Sequence, residues 1–432
     1  MKAISLFRLL FLLVLTSLML SSCFDELCNN TQSYVRLDPV YVETSEYRID
    51  PVFQDGRALQ NTGKFYLYNQ FILINELREG IHILDNRNPA QPEHLGFLKI
   101  PGNLDIAVKE NVLYADNYSD LLAIDISDWR QPELLCREEG TFPDQFFPEE
   151  GRYLSHYVSS EVTEEVDCNN PNFGDLLFSE GGSVFFDSQA LGAASPDFNG
   201  VPVSTNTGNN QQASIGGSLA RFTLSGDHLY VINEKELVAF DIRHAEKPVE
   251  TQSTHVAEGI ETVFPYGEHL FIGANDGMYI YSLANPQSPR YVSEFRHAQA
   301  CDPVFVQDDV AFVTLRDGTA CQNFINQLDV VDISDIRNPS LIKTFPMDHP
   351  HGLSVRDNEL YLCEGTHGLK VFDVRDLEEI DDNQLDHIRE MHAFDVISLN
   401  TEHLLVIGQD GLYQFNTSDP SGLKQISFFP VE

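Results

Sequence analysis

Five side chains stand at one equivalent position of a repeated unit, and their types would suit a bound cation. Asp105, Glu261, Asp302, His351 and Asp395 each begin the first strand of a unit. The same position in the other two units is held by Ala220 and by Thr62 or Lys64. Carboxylates that converge on one point repel one another unless a cation, a proton or bound water stands between them. Oxygen donors of this kind fit Ca²⁺ or Mg²⁺. In a metalloenzyme the carboxylates would hold the ion, the ion would acidify a water, and His351 would act as general base. In the plainer reading each carboxylate caps a nearby backbone amide or binds ordered water. His349-Pro350-His351, with His367 in the next loop, has a spacing used for zinc or copper, but no convincing third ligand accompanies it. The sequence has no GxSxG, HExxH, Walker A or strand-following GxGxxG pattern.

Cysteine is the other reactive type. Cys301 precedes the first strand of the fifth unit and Cys321 lies in the loop between its second and third strands. Both therefore fall at one edge of the unit, where a disulfide would pin a long loop. Cys136 and Cys168 form a second candidate pair, and Cys363, inside an apolar strand, reads as a core residue. No CxxC spacing occurs, which argues against a zinc ribbon or a thioredoxin-type motif.

The elements that would position these residues are repeats. A small or polar residue, about four apolar residues, a turn residue and a polar stretch recur as GIHILDNRNPAQP (80–92), DLLAIDISDWRQP (120–132), ELVAFDIRHAEKP (236–248), GMYIYSLANPQSP (277–289), QLDVVDISDIRNP (327–339), GLKVFDVRDLEEI (368–380) and GLYQFNTSDPSGL (411–423). The turn residue is Asp85, Asp125, Asp241, Ser282, Asp332, Asp373 and Asn416, at intervals of 40, 116, 41, 50, 41 and 43 residues. Such a period fits four short strands and their turns. In the unit 258–298, strands A to D are expected at Ile260–Pro265, His269–Gly273, Met278–Leu283 and Arg290–Phe295. The β-branched and aromatic content excludes a helical repeat. The expected fold is all-β: a β-propeller of about seven four-stranded blades over 61–432, closed so that sheet edges are protected, with one large insertion at about 139–215. The insertion begins acidic and aromatic and ends rich in Ser, Asn, Gln and Gly, and it joins blades on the face that carries the starts of strand A. Tyr34–Glu43 alternates like a strand that either closes the ring through the last blade or forms a stalk.

The repeat resembles the LVIVD-repeat family, most closely at Asp125-Ile126-Ser127-Asp128 and Asp332-Ile333-Ser334-Asp335. Ser282 and Asn416 depart from its aspartate. The resemblance implies a β-propeller and no settled activity. The aspartate is read as structural, because its side chain stabilises the turn between strands C and D.

The first residues lie outside this pattern. Lys2 and Arg8 precede an apolar run from Leu9 to Leu20, too short to span a bilayer and suited to a signal-peptide core. Leu20-Ser21-Ser22-Cys23 resembles the lipobox of bacterial lipoproteins, which implies cleavage after residue 22 and a lipid on Cys23. Residues 23–60 would then be a lipidated tether with an N-terminal strand. Asp25 and Glu26 resemble the export signal of some surface-exposed lipoproteins in Gram-negative bacteria. The expected location is the cell envelope, lipid-anchored, at the outer membrane and exposed outward.

Acidic residues outnumber basic ones 66 to 27, for a net charge of −39, a surface that repels nucleic acid. The large insertion and the lack of a catalytic signature favour a non-catalytic binding propeller for a protein or glycan. A divalent-metal-dependent hydrolase or lyase with an acidic channel-mouth site, Ca²⁺ being the candidate ion, and an architectural spacer in an envelope assembly are the alternatives.

Overall fold

The computed structural model describes residues 29–143, 146–147, 150–167, 185–187, 214–216, 220–233, 235–297, 303–316 and 325–431. The chain divides into two compact units, one of residues 1–40 with 156–193 and one of 41–155 with 194–432.

The larger unit is a seven-bladed β-propeller. Its four-stranded antiparallel blades occupy 62–99, 106–138, 222–255, 260–296, 304–346, 353–388 and 393–430. In the fourth blade the strands are Ile260–Tyr266, His269–Ala274, Gly277–Ser282 and Arg290–Arg296, within a residue or two of those expected. Strands A to C are apolar without alternation. Phe71–Glu76 and Gly80–Asp85 are buried almost throughout, because each blade is sandwiched between two others. Outer strands such as Glu93–Lys99 mix exposed and buried positions, since one flank faces water. Each fully buried Leu, Ile or Phe contributes roughly 1.5–3 kcal/mol through area removed from water.

The repeat's turn residue does the same work seven times. Side-chain oxygens of Asp85, Asp125, Asp241, Asp332, Asp373 and Asn416 accept the backbone N–H two residues on, at 2.7–3.1 Å, and Ser282 does so at 3.2 Å. Directly after this turn a bulge shifts the C–D register in every blade. The glycine that opens strand C also has a physical cause. A Cβ at Gly80 or Gly411 would lie 2.1 Å from a carbonyl oxygen of strand D, and both residues have positive φ.

Blade 1 carries two extra strands. Val52–Gln54 pairs with strand D on the outside, and Ser214–Gly216 pairs with Tyr66–Tyr68 on the inner edge of strand A. The tail of the insertion therefore runs inside the ring. Blades 1 and 7 are each built from one continuous stretch. They meet through a parallel bridge between Leu59 and Val431, a bond from Thr62 Oγ1 to the Gly408 carbonyl at 3.5 Å, and side-chain contacts across the seam.

In the smaller unit the N-terminal strand Asn29–Glu43 pairs antiparallel with Phe185–Asp187, Tyr34 facing Asp187 and Arg36 facing Phe185. The expected strand at Tyr34–Glu43 exists, but it joins this separate sheet and not the last blade. Two polar-flanked segments far apart in sequence complement each other, which alternation alone could not reveal. Cys23, where lipidation is expected, lies outside the described residues.

Candidate functional site

The strands of a blade alternate in direction, so the starts of strand A, the B–C turns and the ends of strand D share one face. Asp105, Glu261, His351 and Asp395 lie on that face around the axis.

Asp105, just before strand A of blade 2, is buried and fully engaged. Its Oδ2 accepts from Lys64 Nζ at 3.1 Å, from Arg221 N at 2.6 Å and from Phe222 N at 3.1 Å; its Oδ1 accepts from Ile106 N at 2.7 Å. One carboxylate thus ties blades 1, 2 and 3 together. Burial lowers the Lys64 pKa, with Asp105 opposing that shift. Behind it, Asp116 accepts from the amides of Leu104 and Asp105 at 2.7 and 2.9 Å and from Asn103 Nδ2 at 2.8 Å. Burial pushes the Asp116 carboxyl up to about 6 despite these donors.

Glu261 is half-buried at the bulge between Ile260 and Thr262 in blade 4. The Asn275 amide, turned so that its nitrogen faces the carboxylate, donates to Oε1 at 3.2 Å. Asp395 is buried at strand A of blade 7, and its Oδ1 accepts from Val396 N at 2.9 Å. His351 is buried in blade 6, where its Nε2 faces His349 Nδ1 at 3.1 Å. Burial holds the His351 imidazole well below its ordinary pKa, and Arg316, His349 and His392 add to the effect. Gly365, at φ +53°, makes room for the two rings: a Cβ there would lie 2.9 Å from His351 and 3.0 Å from His349. Asp302, Cys301 and Cys321 lie outside the described residues.

Asp105 and His351 therefore belong to different local sets. Among the described residues no group of three or more His, Cys, Asp or Glu could hold a metal ion. Cys136 is a free, half-buried thiol that donates to Glu138 at 3.3 Å, and Cys168, its candidate partner, lies outside the described residues. Cys363 is buried in the core, as expected.

Sequence reasoning missed a second cluster on this face. Asp120, in the B–C turn of blade 2, is fully buried between Arg48 at 2.8 Å and Arg137 at 3.3 Å, and it accepts from Ser119 Oγ at 2.7 Å. Ser119 also meets the hydroxyl of Tyr47 at 2.8 Å, and Tyr47 packs edge-on to Tyr118. Residues 47 and 48, beside the single helical turn Thr44–Tyr47, thus latch onto blade 2. The only hint in sequence was the polar Asn117–Asp120 turn.

The LVIVD repeat matches residues 103–137 and 321–346. The chain is a seven-bladed β-propeller that carries the LVIVD repeat in two of its stretches. The first match contains Asp105, Asp116, Asp120 and Asp125, so the carboxylate of the inter-blade clasp and the Asx turn fall within one repeat, and the donors Lys64, Arg221 and Phe222 lie outside it. No curated protein matches the chain. Among solved structures, Saccharomyces cerevisiae Sqt1 is similar at 10% identity and TM-score 0.50, covering 86% of each chain. The computationally designed Ika8 protein is similar at 9% identity and TM-score 0.49, covering 88% of this chain and 92% of its own. Moraxella catarrhalis BamB is similar at 7% identity and TM-score 0.48, covering 88% and 96%. At such identities the likeness concerns the fold alone.

Proposed function

We propose that this LVIVD-repeat propeller is a non-catalytic binding module of the cell envelope, lipid-anchored through Cys23, which engages a protein or glycan through the insertion and the face it emerges from. One observation carries the reading. The Asp105 carboxylate, the strongest candidate for metal or acid–base work, is consumed by four hydrogen bonds that lock three blades. A carboxylate so engaged positions strands and leaves little capacity for a ligand. The insertion supplies contact surface instead. In the smaller unit, Tyr157 and Val158 lie about half exposed, at 47% and 49%, on the strand Arg152–Asp167. Exposed aromatic residues on a strand are what protein and glycan partners use as anchors.

The test is site-specific photo-crosslinking in cells from position 157, with position 249 on the rim of blade 3 as comparison. A discrete adduct from 157 that is lost on Val158→Asp supports the reading. The same pattern from both positions, or none from 157, overturns it. Elemental analysis of residues 24–432 separates the catalytic alternative, since about one divalent ion per chain and a melt lowered by EDTA would favour the metalloenzyme.

A further inference from the structure

We propose that the seam between the first and last blades is an acid-sensitive latch, released when His82 and His94 both become protonated. The two imidazoles lie on neighbouring strands of blade 1, with His82 Nδ1 3.3 Å from His94 Nε2. His82 is fully buried and its Nε2 stands 3.0 Å from Glu76 Oε2. The same carboxylate accepts from the backbone N–H groups of Gln60 and Asn61 at 3.2 and 2.7 Å. Those residues directly follow Leu59, which bridges to Val431. At the other end of the chain of groups, the His94 ring lies edge-on to Phe429 of blade 7, centroids 5.7 Å apart. One line therefore runs from the N-terminal lead to the last strand of the ring, hydrogen-bonded as far as His94 and completed by its ring contact with Phe429.

The line accommodates one proton between the rings but not two. With neutral rings, His82 donates to Glu76 through Nε2 and its Nδ1 accepts from His94 Nε2, which also faces the Gly96 carbonyl at 3.1 Å. With both rings charged, two N–H donors and two positive charges face each other at that separation, and Glu76 neutralises only one. The other charged groups around the pair are Arg57, whose guanidinium covers the Phe97 ring at 3.9 Å, and Glu79, its ion-pair partner at 2.5 Å. Phe97 in turn packs on His82 with centroids 4.9 Å apart. Blade 7 presents Phe429, an aromatic ring with no counter-charge. Burial first, and then the neighbouring His82, lower the His94 pKa, so a charged His94 is disfavoured in this place. His94 is half-buried and can relieve the repulsion by leaving its place on Phe429, which frees the seam.

Hydrogen exchange of the intact chain at about pH 7.5 and about pH 5.5, corrected for intrinsic rates, tests this. Peptides covering 55–68 and 424–431 report the seam, and peptides covering 304–315 in blade 5 serve as reference. The expected result is a loss of protection of about tenfold or more at the seam on acidification, with the reference unchanged. His94→Phe, which keeps the aromatic contact and cannot be charged, should abolish that loss. His94→Gln is the substitute if the phenylalanine variant does not fold. A seam that follows the reference at both pH values, or a variant that retains the full acid response, overturns the proposal.

Discussion

Asn86 and Gln414 exchange two amide hydrogen bonds, at 3.1 and 2.7 Å, across 328 residues of sequence. Gln414 is almost completely buried, and its carbonyl oxygen also faces His403 Nε2 at 2.8 Å. This reciprocal pair joins the turn after strand C of blade 1 to strand C of blade 7, where no strand is shared. Removing Asn86 takes the partner from the buried Gln414 amide nitrogen, and removing Gln414 takes both bonds from the half-buried Asn86. Asn86→Ala and Gln414→Ala should each cost about 1–3 kcal/mol in urea unfolding, and the double variant should cost less than the sum. Strict additivity would show that the pair does not hold the seam.

The turn residue of the repeat should tolerate loss of charge but not loss of its oxygen. Asp125 accepts from Ser127 N at 2.7 Å, and Asn416 and Ser282 already make the equivalent bond without a charge. Asp125→Ala should lower stability by about 1 kcal/mol, and Asp125→Asn should stay within about 0.5 kcal/mol of the parent. Equal losses in both variants would point to the charge instead.

Asp116 should weigh on stability as pH rises. Its folded-state pKa of about 6 lies above that of an unfolded aspartate, so the folded chain holds the extra proton between about pH 4 and pH 6. Stability from this group is therefore greatest below about pH 4 and declines as pH climbs through 6. Asp116→Asn should remove that decline. It should raise the melting temperature relative to the parent at pH 8 more than at pH 5, as read by thermal melts in matched buffers. A difference of the opposite sign would refute the assignment.

Gly411 opens strand C of blade 7 at φ +140°, facing the Phe429 carbonyl. Gly411→Ala combines backbone strain with a steric clash and should cost about 2 kcal/mol or more. Gly140, also at positive φ but with open space around it, should show the strain alone when changed to alanine. Equal costs at the two positions would mean that the carbonyl yields.

What was legible in the sequence was what is local. The Asx turn at Asp332 closes within two residues, so its repetition spelled out the blades, and strand limits in blade 4 followed from turn residues on either side. Asp105 could be placed at the start of strand A, but its role could not be read. Its partners Lys64 and Arg221 lie 41 and 116 residues away, and three of its four donors are backbone amides, which carry no sequence signature. The same limit hid the partner of the N-terminal strand. Alternation shows that Tyr34–Glu43 has a face to bury and is silent on where the complementary segment lies.

Because blades 1 and 7 borrow no strand from each other, the four strands of each blade can pair as soon as its own stretch of chain has been synthesised, and blade 1 gains its inner strand Ser214–Gly216 later. Six junctions, each between blades consecutive in sequence, can then form in order as the chain emerges. The seventh waits for Phe429 and Val431. Until then the apolar flanks of the first and last blades are both open, one carrying His94 and the other awaiting it. The newborn chain is thus most prone to self-association at its final step, when an equivalent flank of a second molecule could take the vacant place.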